Sequence, residues 1–231
     1  MKTSTRRTQA QRTEETRERI LESARELFVK RGYHATSLEQ VADAAGYTKG
    51  AVFSRFKNKG DLFLCLLDRS VTQRAANVRA IAALSGDPIA LARSLYRQWT
   101  TGVHADSDWT LLVLEFRIHA ARNPELNMGY AKIYETVRNN LGEVILENFR
   151  RAGINMKMRG QDIARLIMAL GNGELLERRV DGKAYPSAEM EEMIVGIMKS
   201  VMPPSDPQSI TKASSKKRGA APAKRDEKAQ A

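Results

Sequence analysis

The sequence predicts an all-α protein: an N-terminal three-helix helix-turn-helix domain followed by a larger helical domain. Three observations carry that expectation. Apolar residues recur at spacings of three and four along most of the 231 residues, with no alternating run that would mark a strand. Capping residues stand at the head of successive apolar stretches, as at Ser37, Thr48, Asn58, Asp87-Pro88 and Asn123-Pro124. Charge is gathered at the two ends. Residues 1–60 carry 13 Lys/Arg against 7 Asp/Glu, residues 61–202 carry 18 against 17, and residues 203–231 carry 7 against 3. The middle has the balance of an ordinary globular domain, whereas the ends favour anionic partners.

Residues 1–13 are polar and basic without periodicity and read as a disordered arm. From Glu14 the pattern changes: Ile20, Ala24, Leu27 and Phe28 form one apolar stripe. The helix is expected to stop at Arg31-Gly32, where glycine supplies a left-handed cap. Ser37 with Gln40 forms a capping box for a second helix, whose buried side is Leu38, Val41, Ala42 and Ala45. Gly46 ends it. Thr48 caps a third short helix from Lys49 to about Phe56, with Val52 and Phe56 facing inward. Asn58 and Asp61 open a fourth, carrying Leu62, Phe63, Leu66 and Leu67.

Beyond that point Trp109–Asn123 is apolar on most faces, as expected of a helix buried among others. A helix is expected from Pro124 to about Arg151, then a connection through GINMKMRG. Gln161–Val180 and Ser187–Val201 complete the helices. The segment after Met202 has one large aliphatic residue, Ile210, and reads as a disordered basic tail. Two short helices around a glycine corner have the spacing of a helix-turn-helix. The outer face of the third helix then presents Thr48, Lys49, Ala51, Ser54 and Arg55, short or basic groups able to approach phosphates and base edges. A packing module with a solvated outer face is the competing reading.

The stretch from Thr16 to Phe63, TRERILESARELFVKRGYHATSLEQVADAAGYTKGAVFSRFKNKGDLF, resembles the DNA-binding domain of the tetracycline-repressor (TetR/AcrR) family. The resemblance covers the whole three-helix unit and its junction with the fourth helix. It implies a one-component, homodimeric transcriptional regulator, usually a repressor released from a palindromic operator by a small-molecule effector. An activator or an effector-independent regulator is the alternative, and an architectural DNA-binding protein a further one. The implied division is a DNA-binding domain over residues 14–60 and an effector-binding and dimerisation domain over 61–202. Carried over by position, Ser37 matches a hydroxyl that often touches a phosphate, with capping alone as its alternative. Thr48, Lys49, Gly50 and Ala51 match the start of the recognition helix. Lys59 matches a phosphate-contacting lysine, with a solvated charge as its alternative. The chain departs from the family at Phe53, where tyrosine is common, and at Ser54 and Arg55. Phenylalanine keeps an aromatic ring but has no hydroxyl for a phosphate.

The resemblance weakens after about Leu67. Candidates for an effector pocket are Trp99, Trp109, Phe116, His119, Met128, Tyr130, Tyr134 and Phe149, each of which could instead be core. Candidates for the dimer seam are Ile163, Leu166, Ile167 and Leu170 on one helix and Met190, Met193, Ile194, Ile197 and Met198 on the last. Completion of the subunit core is the alternative for both stripes.

Other classes have little support. A single cysteine, Cys65, excludes an intrachain disulfide, and His34, His104 and His119 lack metal-ligand spacing, so neither metal nor cofactor is expected. Glu115 and His119 share a helix face but belong to no catalytic motif, so the chain is not expected to be an enzyme. The sequence has neither a signal-peptide core nor a span of about 20 apolar residues, which leaves the cytoplasm as the expected location.

Overall fold

A computed structural model describes residues 8–105, 107–156, 158–181, 187–200 and 202. Among them run nine helices: α1 Gln9–Arg31, α2 Leu38–Ala45, α3 Lys49–Phe53, α4 Lys59–Leu84, α5 Pro88–Ala105, α6 Ser107–Ala121, α7 Pro124–Arg151, α8 Gly160–Val180 and α9 Ser187–Ser200. The described residues contain no strand, so the all-α expectation holds for them.

Local chemistry explains most of the boundaries. Gly32 leaves α1 at φ 81°, and Gly46 leaves α2 in the left-handed conformation at φ 72°. A side chain with a Cβ adopts either poorly. The N–H of Tyr47 then reaches back to the Ala42 carbonyl (2.9 Å), closing the corner. Pro124 begins α7 behind the Asn123 cap, and the side chain of Asp87 accepts from the N–H groups of Ile89 and Ala90 at the start of α5.

Two boundaries differ from the sequence expectation by three residues or more, the others by two at most. The first helix starts at Gln9 rather than Glu14, so residues 9–13 of the expected disordered arm are helical. Their cause is a capping box: Thr8 Oγ1 accepts from Gln11 N–H (3.2 Å), and Gln11 Oε1 accepts from Thr8 N–H (2.8 Å). Apolar periodicity could not reveal this turn, because its side chains are exposed. The third helix ends at Phe53, three residues early, and hydrogen-bonded turns carry the chain on to Phe56. Residues 1–7 and the tail after Met202 lie outside the described residues.

One apolar cluster joins the first three helices to α4, α6 and α7. It runs from Ile20, Leu21, Ala24 and Phe28 of α1, through Val41 and Val52, to Phe63, Trp109, Phe116 and Tyr130. Phe63 lies at its centre, stacked on Phe116 with ring centroids 4.2 Å apart and edge-on to Phe28 and Tyr33 at 5.4 Å. A second, smaller cluster at the far end joins Ala92, Ile145, Phe149, Ile163 and Met198.

Candidate nucleic-acid interface

The inward side of the helix-turn-helix is sealed. Val41, Ala42 and Val52 have no exposed surface, and Phe56 and Thr36 retain 1% each. The buried Thr36 hydroxyl donates to the Gly32 carbonyl at 2.9 Å, so the corner between α1 and α2 is fixed by a satisfied polar group. With that side closed, what remains of α3 faces outward.

On the outer side Thr48, Lys49, Gly50, Phe53 and Ser54 are exposed, and Ala51 is half-buried. The Thr48 side chain caps α3 by accepting from Ala51 N–H (3.2 Å). Ser37 caps α2 by accepting from Gln40 N–H (3.3 Å), while Gln40 Oε1 accepts from Ser37 N–H (3.0 Å). A Cβ added at Gly50 would meet only Thr48 Oγ1, at 4.0 Å, so packing within the chain does not require glycine there. Beside Lys49, the Glu39 carboxyl lies below the usual carboxylate range. A hydrogen bond from its own backbone N–H acts first, then one from the Ser37 side chain, with Lys49 adding a smaller pull.

Two basic side chains are not arranged as the sequence suggested. Arg55 folds back on its own helix: Nη1 donates to the Ala51 carbonyl (2.7 Å) and to Ser54 Oγ (3.3 Å). Lys59 turns toward the α1–α2 corner, where Nζ donates to the carbonyls of Tyr33 (2.8 Å) and His34 (3.1 Å). It also lies 4.5 Å from the Tyr33 ring centre. Burial holds the Lys59 pKa below the usual lysine value, and nearby Glu115 pulls it part of the way back. An ammonium has three N–H donors, so one is left for an outside acceptor.

Sequence reasoning did not find the junction this creates. Glu115 and His119, a pair on one face of α6 of which His119 was also a pocket candidate, both meet the α1–α2 corner. Glu115 Oε2 accepts from Tyr33 N–H at 3.5 Å, and the His119 ring packs against Tyr33 (5.2 Å) and His34 (4.9 Å). Burial pushes the Tyr33 hydroxyl up to about 12, so it stays protonated as the neutral ring of this contact. The i, i+4 spacing was the visible signal. Its partners lie more than eighty positions away and left no local trace.

The structure does not gather the seven pocket candidates with described side chains around one cavity. Trp109, Phe116 and Tyr130 are buried in the first cluster, Phe149 in the second, and Met128 is 70% exposed. His119 and Tyr134 are half-buried, and the side chain of Trp99 lies outside the described residues. A groove of about 750 Å³ instead opens between α1, α4 and α5, and among the candidates with described side chains Trp109 is the one that lines it. The seam candidates divide as well. Ile163 and Met198 are buried, Ile167, Met190, Ile194 and Ile197 are half-buried, and Leu166, Leu170 and Met193 are exposed.

A family model for bacterial regulatory proteins of the tetR family matches residues 20–66, which span the corner and the outward α3. The chain is also 31% identical over 102 residues to the HTH-type transcriptional activator FasR of Mycolicibacterium smegmatis, covering 44% of this chain and 47% of that protein. Over this stretch the chain is similar to the TetR family. The HTH-type transcriptional regulator AcrR of Shigella flexneri is 37% identical over 86 residues, covering 37% of this chain and 40% of that one. These matches span less than half the length of either relative. The likeness in fold extends beyond them: a TetR transcription regulator from Haloarcula marismortui superposes with a TM-score of 0.66 at 16% identity, over 82% of this chain and 100% of that one. Among the described residues no helix is long and apolar enough to cross a membrane.

Proposed function

We propose that the protein is a homodimeric, sequence-specific DNA-binding transcriptional regulator, acting as a repressor that a small-molecule effector releases from a palindromic operator. The observation that carries this reading is the one-sided construction of α2 and α3. Their apolar faces are fully buried against α1 and α4, while Thr48, Lys49, Gly50 and Phe53 stand out on a short helix narrow enough for a major groove. Lys49, Ser37 and the remaining N–H of Lys59 would hold phosphates, and the open side of Gly50 would allow close approach.

The dimer rests on α8. Leu166, Ala169, Leu170, Gly173, Leu176 and Val180 are all exposed and recur along one face, and Met193 on α9 is exposed as well. A second copy packed on that stripe would cover it, and two α3 helices would then read two half-sites. Leu170→Glu, a charge placed in the seam, is expected to shift the protein to monomers in sedimentation velocity and to weaken palindrome binding.

For the effector, the groove is the candidate place. It has one wall on α1, at Leu21 and Arg25, and another on α4 and α5, so an occupant would bear on the angle between DNA-reading head and core. An activator is the second reading, favoured by the description of the M. smegmatis relative. A promoter fusion measured with and without the gene separates the two.

The test of the central reading is a titration of the full chain against the gene's own upstream DNA and a scrambled duplex, at two salt concentrations. A preference of about 1000-fold or more establishes a sequence reader. Equal affinity for both duplexes, falling together as salt rises, overturns it in favour of charge-driven binding.

A further inference from the structure

The chain contains six phenylalanines. Phe28, Phe56, Phe63, Phe116 and Phe149 have 1% of their surface exposed or less, whereas Phe53 is 47% exposed. It stands at the C-terminal end of α3 on the outward side, one turn after Gly50 and two residues after Ala51, both too small to cover it. The two polar side chains that follow it bend back toward α3. Ser54 Oγ donates to the Ala51 carbonyl (3.1 Å), and Arg55 Nη1 donates to that same carbonyl and to Ser54 Oγ. Beyond the first turn, the side chain most available to a partner is therefore an apolar ring.

Such a ring can neither donate nor accept a hydrogen bond, so it cannot hold a phosphate or read the donor and acceptor pattern of a base pair. The major groove offers one base-specific apolar feature, the 5-methyl group of thymine. We propose that Phe53 is a specificity-determining residue that reads a thymine methyl in each operator half-site by apolar contact. This rests on the DNA-reading function proposed above and adds to it a particular base. The operator is expected to carry one position per half-site where thymine is required for its methyl group and not for its hydrogen bonds.

The experiment first selects duplexes from a random pool with the full-length protein. Each thymine of the selected site is then replaced in turn by deoxyuridine, which removes the methyl and leaves the base-pairing edge intact. Burial of one methyl-sized group corresponds to about a fourfold change in affinity, so loss of both symmetry-related methyls should weaken binding about fifteenfold. Phe53→Ala should bind more weakly than the wild type and be indifferent to that same replacement. Phe53→Leu, which keeps an apolar side chain, should retain part of the sensitivity. Because Phe53 is exposed, both variants should keep the wild-type thermal midpoint.

Two results overturn the proposal while leaving the regulator reading intact. One is specific binding by the wild type with no thymine sensitive to deoxyuridine. The other is a Phe53→Ala protein with weaker binding but the wild-type deoxyuridine profile, the result expected if the ring touches only sugar. Failure to select any site removes the DNA-reading function and this proposal with it.

Discussion

The helix-turn-helix head and the opposite end of the molecule use the same kind of amphipathic helix and finish it differently. In the head a side chain caps each helix start: Thr8 for α1, Ser37 for α2, Thr48 for α3 and Asn58 for α4. Its large apolar residues share one cluster with α6 and α7. At the other end α8 begins at Arg159 with no side-chain cap, and Leu166, Leu170, Leu176 and Val180 lie open to solvent. The head is closed within one chain. The α8 end is left with the surface that the proposed dimer would cover, so its stability should depend on protein concentration more than that of the head.

The largest effect should come from removing the side chain that makes the head closed. Phe63 contacts rings from α1, the α1–α2 corner and α6, including Trp109 at 5.7 Å. Phe63→Ala leaves a cavity at the meeting point of all of them and should cost about 3–5 kcal/mol in chemical denaturation. The head should lose its fixed seat on α6 at the same time. A cost below about 1 kcal/mol would show that the head and α6 do not share a core, and the comparison would fail at its stronger end.

A smaller effect is expected where α7 meets α8. A Cβ built on Gly160 would overlap the carbonyl oxygen of Gly142, and one built on Gly142 would lie 2.7 Å from the Gly160 carbonyl carbon and the Gln161 nitrogen. Backbone meets backbone here, so no flexible side chain can move aside. Gly160→Ala should therefore cost about 1–3 kcal/mol through overpacking and tilt α8 away from α7. Sedimentation velocity alongside a thermal melt sharpens the comparison. If the dimer is built on α8, Gly160→Ala should weaken self-association as well as folding, whereas Phe63→Ala should act chiefly on folding.

What could be read from the sequence follows the range of the interactions. The Ser37–Gln40 box, the Thr48 and Asn58 caps, the stops at Gly32 and Gly46 and the start at Pro124 involve groups within a few residues, and all were visible. The first turns of α1 were missed even so, because Thr8 and Gln11 support a helix that buries nothing there. Of the candidate interface, the outward placement of Thr48, Lys49 and Ser54 was legible from the pattern of buried positions, whereas Phe53 was singled out by the family resemblance alone. The turning of Lys59 toward Tyr33 and His34 was not, since it depends on carbonyls 25 and 26 positions away. The same holds for Glu115 against Tyr33, and for the groove, whose walls come from four helices. Spacing along one helix says which residues share a face. It does not say what that face will meet.

The smallest expected effect distinguishes the two ends by their response to acid. On α9 the Glu191 carboxylate accepts from Arg93 Nη1 (2.7 Å), Arg97 Nε (2.9 Å) and Arg97 Nη2 (3.0 Å), tying α9 to α5 by charge. Hydrogen bonds from Arg97, and next from Arg93, hold its pKa down to about 2, against an ordinary value of 4.5. A carboxyl with a lower pKa in the folded protein stabilises fully only above its unfolded pKa. The contribution should therefore be complete above about pH 5 and fall away as the pH drops toward 2. The Arg97 side chain is 68% exposed, so water and salt screen the pair and keep the effect modest. Thermal midpoints of the wild type and Glu191→Gln, measured from pH 6 to pH 2.5, should differ most at the upper end and converge in acid. Added salt should narrow the gap as well. A difference constant across that range would mean that Glu191 holds α9 by shape alone, and the α5–α9 contact would then resemble the uncharged packing of the head.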